Sequence, residues 1–270
     1  MLLRDTRVRK LLLLLCSVAL GAMAWQLTAW IVSSVRGVDF PSPLATLRHL
    51  CGLLAGVGLF DHSVYRHVAD SLWRWLFGFV IAVAGGVGYG LLAGHSNALG
   101  RLTLPLVHAL QLIPGLAWIP VALLLFGLGE QSTVCIIALT TFPAIAISVV
   151  AGVRQVDATY VRAARMLGAG KKALFIRVLV PGSVPHILSG LRIGAGNAWR
   201  VLLAAEMVVG SGTGLGYSII QARWTLDYAS AFACLLVIVV IGLAFEVLVL
   251  RRVEKWTLER WQLFEEHRRT

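Results

Sequence analysis

Charge is scarce in this sequence. Only 14% of its 270 residues are Asp, Glu, Lys or Arg, and the acids are scarcer still, 13 against 24 basic residues. A soluble domain usually carries about a quarter of its residues as charge, so a water-exposed globular domain is a poor description. Cysteine is sparse and scattered. Cys16, Cys51, Cys135 and Cys234 form no C-x-x-C pair, which excludes a metal knuckle or redox couple of the usual spacing. Three of the four sit in apolar runs and read as small hydrophobes. A nucleotide loop is also missing. Gly168-Ala169-Gly170-Lys171-Lys172 resembles half of one, but Arg165 stands where its first Gly belongs and Lys172 where a Ser or Thr would hold magnesium. Neither H-E-x-x-H nor G-x-S-x-G occurs, so no metalloprotease or serine-hydrolase chemistry is indicated, and the chain is not expected to be an enzyme.

What the sequence does have is apolar length. Hydrophobic residues make up 58% of it and mean hydropathy is +0.82, the composition of an integral membrane protein. Six runs are long enough to cross a bilayer as helices: 11–32, 68–94, 104–126, 132–152, 187–209 and 230–250. The expected fold is therefore all-α, a polytopic bundle of six transmembrane helices forming one domain over residues 1–270. Ala22-Met23-Ala24 in the first run is compatible with a signal-peptidase site. Apolarity continues past it through Trp25, Leu27 and Trp30, which favours an uncut first helix.

Between the first two runs, Pro41 and Pro43 open an amphipathic helix with Leu44, Leu47, Leu50 and Leu54 on one side, suited to a membrane interface. In the second run Gly78, Ala82, Gly86, Gly90 and Gly94 recur every four residues and leave one face bare for close helix packing. Pro105, Pro114-Gly115 and Pro120 interrupt the third run, and Gln111 and Trp118 lie near the break. Transporters place substrate sites at broken helices, so both are candidates for a pathway, while an interhelical hydrogen bond is the plainer reading of Gln111 and His108.

The fifth run is the most polar, with Arg192, Asn197, Arg200 and Glu206. Ionisable groups at membrane depth should face the protein interior or a wet cavity. Asn197 and Arg200 share a helix face and Glu206 falls roughly opposite, so Arg200 and Glu206 are not expected to pair. All three are pathway candidates. Gly210, Gly212, Gly214 and Gly216 read as a flexible segment after this run. Glu246 is expected to snorkel or to pair with Arg251, and residues 251–270 resemble a helix lying on the membrane surface.

Seventeen of the 24 basic residues fall in four blocks: before residue 11, at Arg101, from Arg154 to Arg177, and after residue 250. Six crossings with both termini inside put every block on the cytoplasmic side, as the positive-inside rule requires. Anionic lipid is a sufficient partner for such charge. No aromatic platform of the nucleic-acid binders accompanies it.

The stretch 157–181 is a basic loop of unusual length. Ala158 to Leu167 has helical spacing, with Val161, Ala164 and Leu167 on one stripe. Gly168 and Gly170 end it, Ala173 to Val180 resumes, and Pro181 and Pro185 mark entry to the fifth run. Ala163-Ala164, Gly168, Val178 and Val180-Pro181 in this spacing resemble the "EAA" loop of permease subunits of bacterial ABC importers. S-P-L-A-T, S-L-W-R-W-L-F-G-F, L-I-P-G-L-A-W-I-P and A-A-E-M-V-V-G-S-G-T-G-L-G-Y are similar to the nitrate, sulfonate and taurine type, and the likeness covers nearly everything from Pro41 onward. The chain departs from the pattern at Arg162, where the triplet usually begins with Glu.

The resemblance implies a cytoplasmic coupling loop that docks on a separate ATPase, through Arg162, Ala163, Ala164, Arg165, Gly168, Lys171, Leu174 and Pro181. It implies a complex of two ATPase subunits, a second permease copy and an extracytoplasmic solute-binding protein, in the bacterial inner membrane. ATP and Mg would be used by the partner and no cofactor by this chain. The implied cargo is a sulfonate-, taurine- or nitrate-like oxyanion. A heterocyclic vitamin precursor remains the alternative cargo, and a secondary transporter or a membrane scaffold the alternative class.

Overall fold

A computed structural model describes residues 6–250, so the expectation for residues 251–270 lies outside it. Its helices are α1 (Thr6–Arg36), α2 (Pro43–Leu54), α3 (Val64–His95), α4 (Asn97–Leu112), α5 (Ile119–Phe126), α6 (Glu130–Arg154), α7 (Ala158–Met166), α8 (Lys171–Leu174), α9 (Val180–Val209), α10 (Leu215–Trp224) and α11 (Tyr228–Ala244). Five helical stretches are long and apolar enough to cross a membrane, six if the bent α4–α5 pair counts as one span. The chain packs as two compact units. Among the described residues, one comprises the chain up to Tyr65 with Ser218–Val237, the other Arg66–Tyr217 with residues 238–250.

In the first unit, Ser42 caps α2 by accepting from the Ala45 N–H at 3.2 Å, and Pro43 occupies the first turn, where a missing N–H costs nothing. The leucine stripe of α2 turns outward: Leu44, Leu47 and Leu54 are exposed while Thr46 and Leu53 are buried. Lipid tails solvate leucine as well as a protein core does, so this face has no reason to fold inward. Leu53, Leu59, Val64, Ala233 and Cys234 form the core of the unit.

The second unit is organised around α6, which exposes no residue between Ser132 and Val153. Two glycine-bearing helices press on it. A Cβ built on Gly78, Gly86, Gly90 or Gly94 of α3 would come within 2.7, 2.9, 2.5 or 2.7 Å of Ile137, Ile145, Val149 or Val153. Each partner follows its glycine by the same number of positions, so the two helices run parallel in one register. On the other flank Gly190 faces Ser148 at 2.7 Å and Gly194 faces Ile145 at 2.8 Å, an antiparallel register between α9 and α6. Missing side chains let three backbones approach, and van der Waals contact between them replaces the hydrophobic drive that lipid removes.

This register makes a prediction. Gly90→Leu should lower the melting temperature of the detergent-solubilised protein by several degrees, since overpacking costs about 1–3 kcal/mol. Gly88→Leu, at a site with open space, should melt like the wild type.

The third expected span is broken where the prolines indicated, at Pro114-Gly115. The α4 segment and the segment Gly115–Phe126 meet at a bend of 102°. Pro105, by contrast, sits inside α4 without ending it.

The largest departure from expectation lies between α8 and α9. Pro181 and Pro185 do not separate a short helix from a span that starts at residue 187. Lys171–Val209 is one helical stretch of 39 residues. A π turn at Phe175–Leu179 joins its parts, and the Val180 N–H bonds the Phe175 carbonyl. Pro181, with no N–H to donate, falls at the step where the ladder returns to α spacing, which is where a proline is tolerated.

Candidate functional site

Three features of the second unit carry function-bearing side chains, and the first is the segment between α6 and α9. Asp157 opens α7 by accepting from the Thr159 N–H at 2.7 Å, and that hydrogen bond, followed by the Thr159 side chain and nearby Arg162, holds its carboxyl below the usual range. Arg162 donates to the Thr159 hydroxyl at 3.3 Å. The helix closes with the Leu167 N–H on the Ala163 carbonyl and the Ala169 N–H on the Ala164 carbonyl, while Gly168 takes φ +81°. That is a Schellman-type end, and only glycine adopts its left-handed residue cheaply.

Because α7 stops at Met166, Leu167 leaves the stripe it was expected to share with Val161 and Ala164. Val161 and Ala164 are half-buried, whereas Met166 and Leu167 are 84% and 88% exposed. Tyr160 is exposed beside them, as are Arg162, Arg165 and Lys171. Leu174 is buried and supports the segment from beneath, and Pro181 is half-buried. Large apolar side chains standing free among cations are the kind of exposed patch that marks an interaction site.

The second feature gathers at the α4–α5 break. A Cβ on Gly115 would lie 3.0 Å from Val201 of α9 and 3.3 Å from Thr140 of α6, so this glycine lets the broken segment reach both helices. Asn197 donates to the Thr140 carbonyl at 3.1 Å. Trp118 packs with Ile119, Ile136 and Ala205, and its indole N–H is buried without a partner among the described residues. Arg200, one turn beyond Asn197, is exposed. Gln111 and His108 are exposed on α4.

The third feature was not anticipated. Arg74 of α3 is 1% exposed and Glu206 of α9 is 1% exposed, and their Nη1 and Oε1 meet at 2.8 Å. Arg74 also donates to the Thr213 carbonyl at 2.8 Å, the Thr213 hydroxyl at 2.9 Å, the Ser211 hydroxyl at 2.7 Å and Glu130 at 3.2 Å. Ser71 donates to Glu206 and accepts from the Leu215 N–H at 2.8 Å, and the Gly216 N–H reaches Glu206 at 2.9 Å. The Gly214 N–H donates to Nδ1 of His67 at 3.0 Å.

This clasp explains the glycine run. A Cβ on Gly214 would fall 2.5 Å from the Glu206 carboxylate and one on Gly216 2.8 Å from the Glu206 Cβ, so the chain wraps the carboxylate only if those side chains are absent. The segment expected to be flexible is tied at residues 211, 213, 214, 215 and 216. Glu206 lies within the clasp, away from Arg200, as the helical wheel required. A lone arginine in an apolar run needs a partner, and that signal would have found Arg74.

Glu246 pairs with Arg192 of α9, within a turn at Phe245–Leu250 that has π spacing; Arg251, the partner expected for it, lies outside the described residues.

Comparison with known proteins agrees with this architecture. Residues 86–255 match the family described as binding-protein-dependent transport system inner membrane component. A putative ABC transporter permease of Methanocaldococcus jannaschii is 35% identical, over 88% of each chain. The taurine transport system permease of Escherichia coli is 31% identical over 89% of this chain and 90% of its own. The nitrate import permease of a Synechocystis species is 32% identical over 83% of each. In fold, the chain is similar to a chain of the MetNI methionine ABC transporter in an inward-facing conformation, with a TM-score of 0.63 at 19% identity, covering 72% of this chain and 95% of that one. With a family match over more than half its length and relatives above 30% identity across most of it, this chain belongs to the binding-protein-dependent transport system inner membrane components, as the permease subunit of an ABC importer.

Proposed function

We propose that the chain forms the pathway for a small oxyanion, working beside a second permease copy, two ATPase subunits and an extracytoplasmic binding protein. Both termini and the 157–181 segment lie on the cytoplasmic side, where six crossings gather the basic blocks. One observation carries the reading: the helical stretch from Lys171 to Val209 is continuous. A push delivered to Met166, Leu167 and the neighbouring α8 travels along a stiff rod to Asn197 and Arg200. Closure of the ATPases on ATP draws the two segments together and turns both rods, biasing a two-state bundle.

Ala163, Ala164 and Gly168 shape the docking surface, Arg162, Arg165 and Lys171 add charge, and Leu174 and Pro181 brace it. Gln111, Trp118, Asn197 and Arg200 line the route at the broken span, where the Trp118 N–H is a free donor. Glu206 anchors the far end of the rod. An exposed guanidinium at membrane depth suits a carboxylate-, sulfonate- or nitrate-like group, and relatives named for taurine and nitrate transport support that cargo class.

Uptake by the reconstituted complex tests it. Arg200→Ala should lower anion uptake about tenfold, a loss of ~1.4 kcal/mol of stabilisation, while the ATPase subunits still copurify. Wild-type uptake in that variant would remove Arg200 from the route.

A further inference from the structure

The pair Arg192–Glu246 joins α9 to the end of the last described span. Arg192, Gly196 and Arg200 follow one another at four-residue steps on α9, which places them along one side of the helix with the two guanidinium-bearing residues ~12 Å apart by helical rise. Gly196 and Arg200 are exposed. The side chains of Arg192 and Glu246 are 39% and 38% exposed although each belongs to an apolar candidate span. Glu246 is the only acid in the Tyr228–Val247 span, whose hydropathy is 2.6. An ion pair turned to lipid within an apolar span is costly, so a half-open pair of this kind suits a side that faces water.

A cavity of about 60 Å³ lies beside Glu246, lined by Trp75, Gly196, Trp199, Gly242 and Phe245. It is far smaller than a drug-sized pocket of roughly 300 Å³ or more, and apart from Glu246 its lining is largely apolar. Gly242 opens the space, since a Cβ there would touch the Trp199 indole at 3.4 Å.

We propose that Arg192 is a second anion station, a few turns along α9 from Arg200, and that Glu246 is its resident competitor. The proposal rests on the oxyanion reading given above. A carboxylate offers a guanidinium the same fork of oxygens as an oxyanion, so Glu246 occupies Arg192 while the route is empty and is displaced when cargo arrives. Its return frees the cargo. A site along a conduction path must bind strongly enough to admit an ion and weakly enough to release it. A built-in competitor meets both needs without giving up the cation.

The test uses the full complex in proteoliposomes, with binding protein and ATPase, and taurine, nitrate and bicarbonate as probes. Arg192→Gln is expected to reduce anion uptake at least tenfold with ATPase copurification unchanged. Glu246→Gln, which keeps the cation but offers no competing carboxylate, is expected to release pre-loaded label more slowly and to lose clearly less uptake than Arg192→Gln does. Equal losses in the two variants would mean a merely structural pair and overturn the proposal. So would full uptake by the exchanged pair Arg192→Glu with Glu246→Arg, which preserves the bond but moves the cation to the other helix. Should Arg192→Gln fail to assemble, Glu246→Gln decides alone, with a tenfold loss counting against the proposal. A wild-type complex that moves a solute lacking any anionic group and none of the three probes would refute the oxyanion reading itself, independently of either variant.

Discussion

Replacing Arg74 or Glu206 alone with alanine should destabilise the protein by about 3–5 kcal/mol, the cost of leaving a buried charge without its partner. The side chains are 2% and 0% exposed, so water cannot compensate. Detergent-solubilised Arg74→Ala should melt many degrees below the wild type or elute as aggregate. Arg74→Lys should fail nearly as badly, because one ammonium cannot serve Glu206, Ser211, Thr213 and Glu130 from the positions that a planar guanidinium reaches. Combining Arg74→Met with Glu206→Gln should recover part of the loss, since Gln keeps an acceptor for the Gly216 N–H and no charge is stranded. Melting of Glu206→Ala within a degree or two of the wild type would mean that the clasp holds nothing.

The second large effect concerns assembly rather than folding. Met166→Asp with Leu167→Asp should reduce ATPase copurification and ATP-driven uptake by more than tenfold, or over ~1.4 kcal/mol of binding free energy. Both side chains stand free, and surface substitutions of this kind change stability by only about 0.5 kcal/mol, so the variant should melt normally. Arg162→Ala removes a bond to Thr159 and one charge near Asp157, and should cost less than threefold. If the double aspartate variant binds the ATPase as the wild type does, the docking surface lies elsewhere.

Much of this architecture could be read in the sequence because lipid imposes it. Bare positions at 78, 86, 90 and 94 signal close helix contact whatever the partner, and α6 supplies it. Pro114-Gly115 signals a break for the same reason, since the freed backbone groups need neighbours. Pro181 and Pro185 misled because proline marks a boundary only when the helix ladder is regular, and a π turn gives Pro181 a place inside the rod. Leu167 misled because helical periodicity stops counting where the helix ends. The clasp was hidden for another reason. Arg74 is separated from Glu206 by 132 positions and from Glu130 by 56, and spacing rules reach only one or two helical turns. The oddity visible in advance was a charged residue in each of two apolar spans.

The central claim is that the segment between α6 and α9 receives the stroke of the ATPase and passes it up one continuous helix. A photo-reactive residue at position 167, activated in the assembled complex, addresses it directly. An adduct with the ATPase subunit, strengthened or weakened on adding ATP, is the predicted result. An adduct only with lipid or binding protein, unchanged by nucleotide, would contradict it.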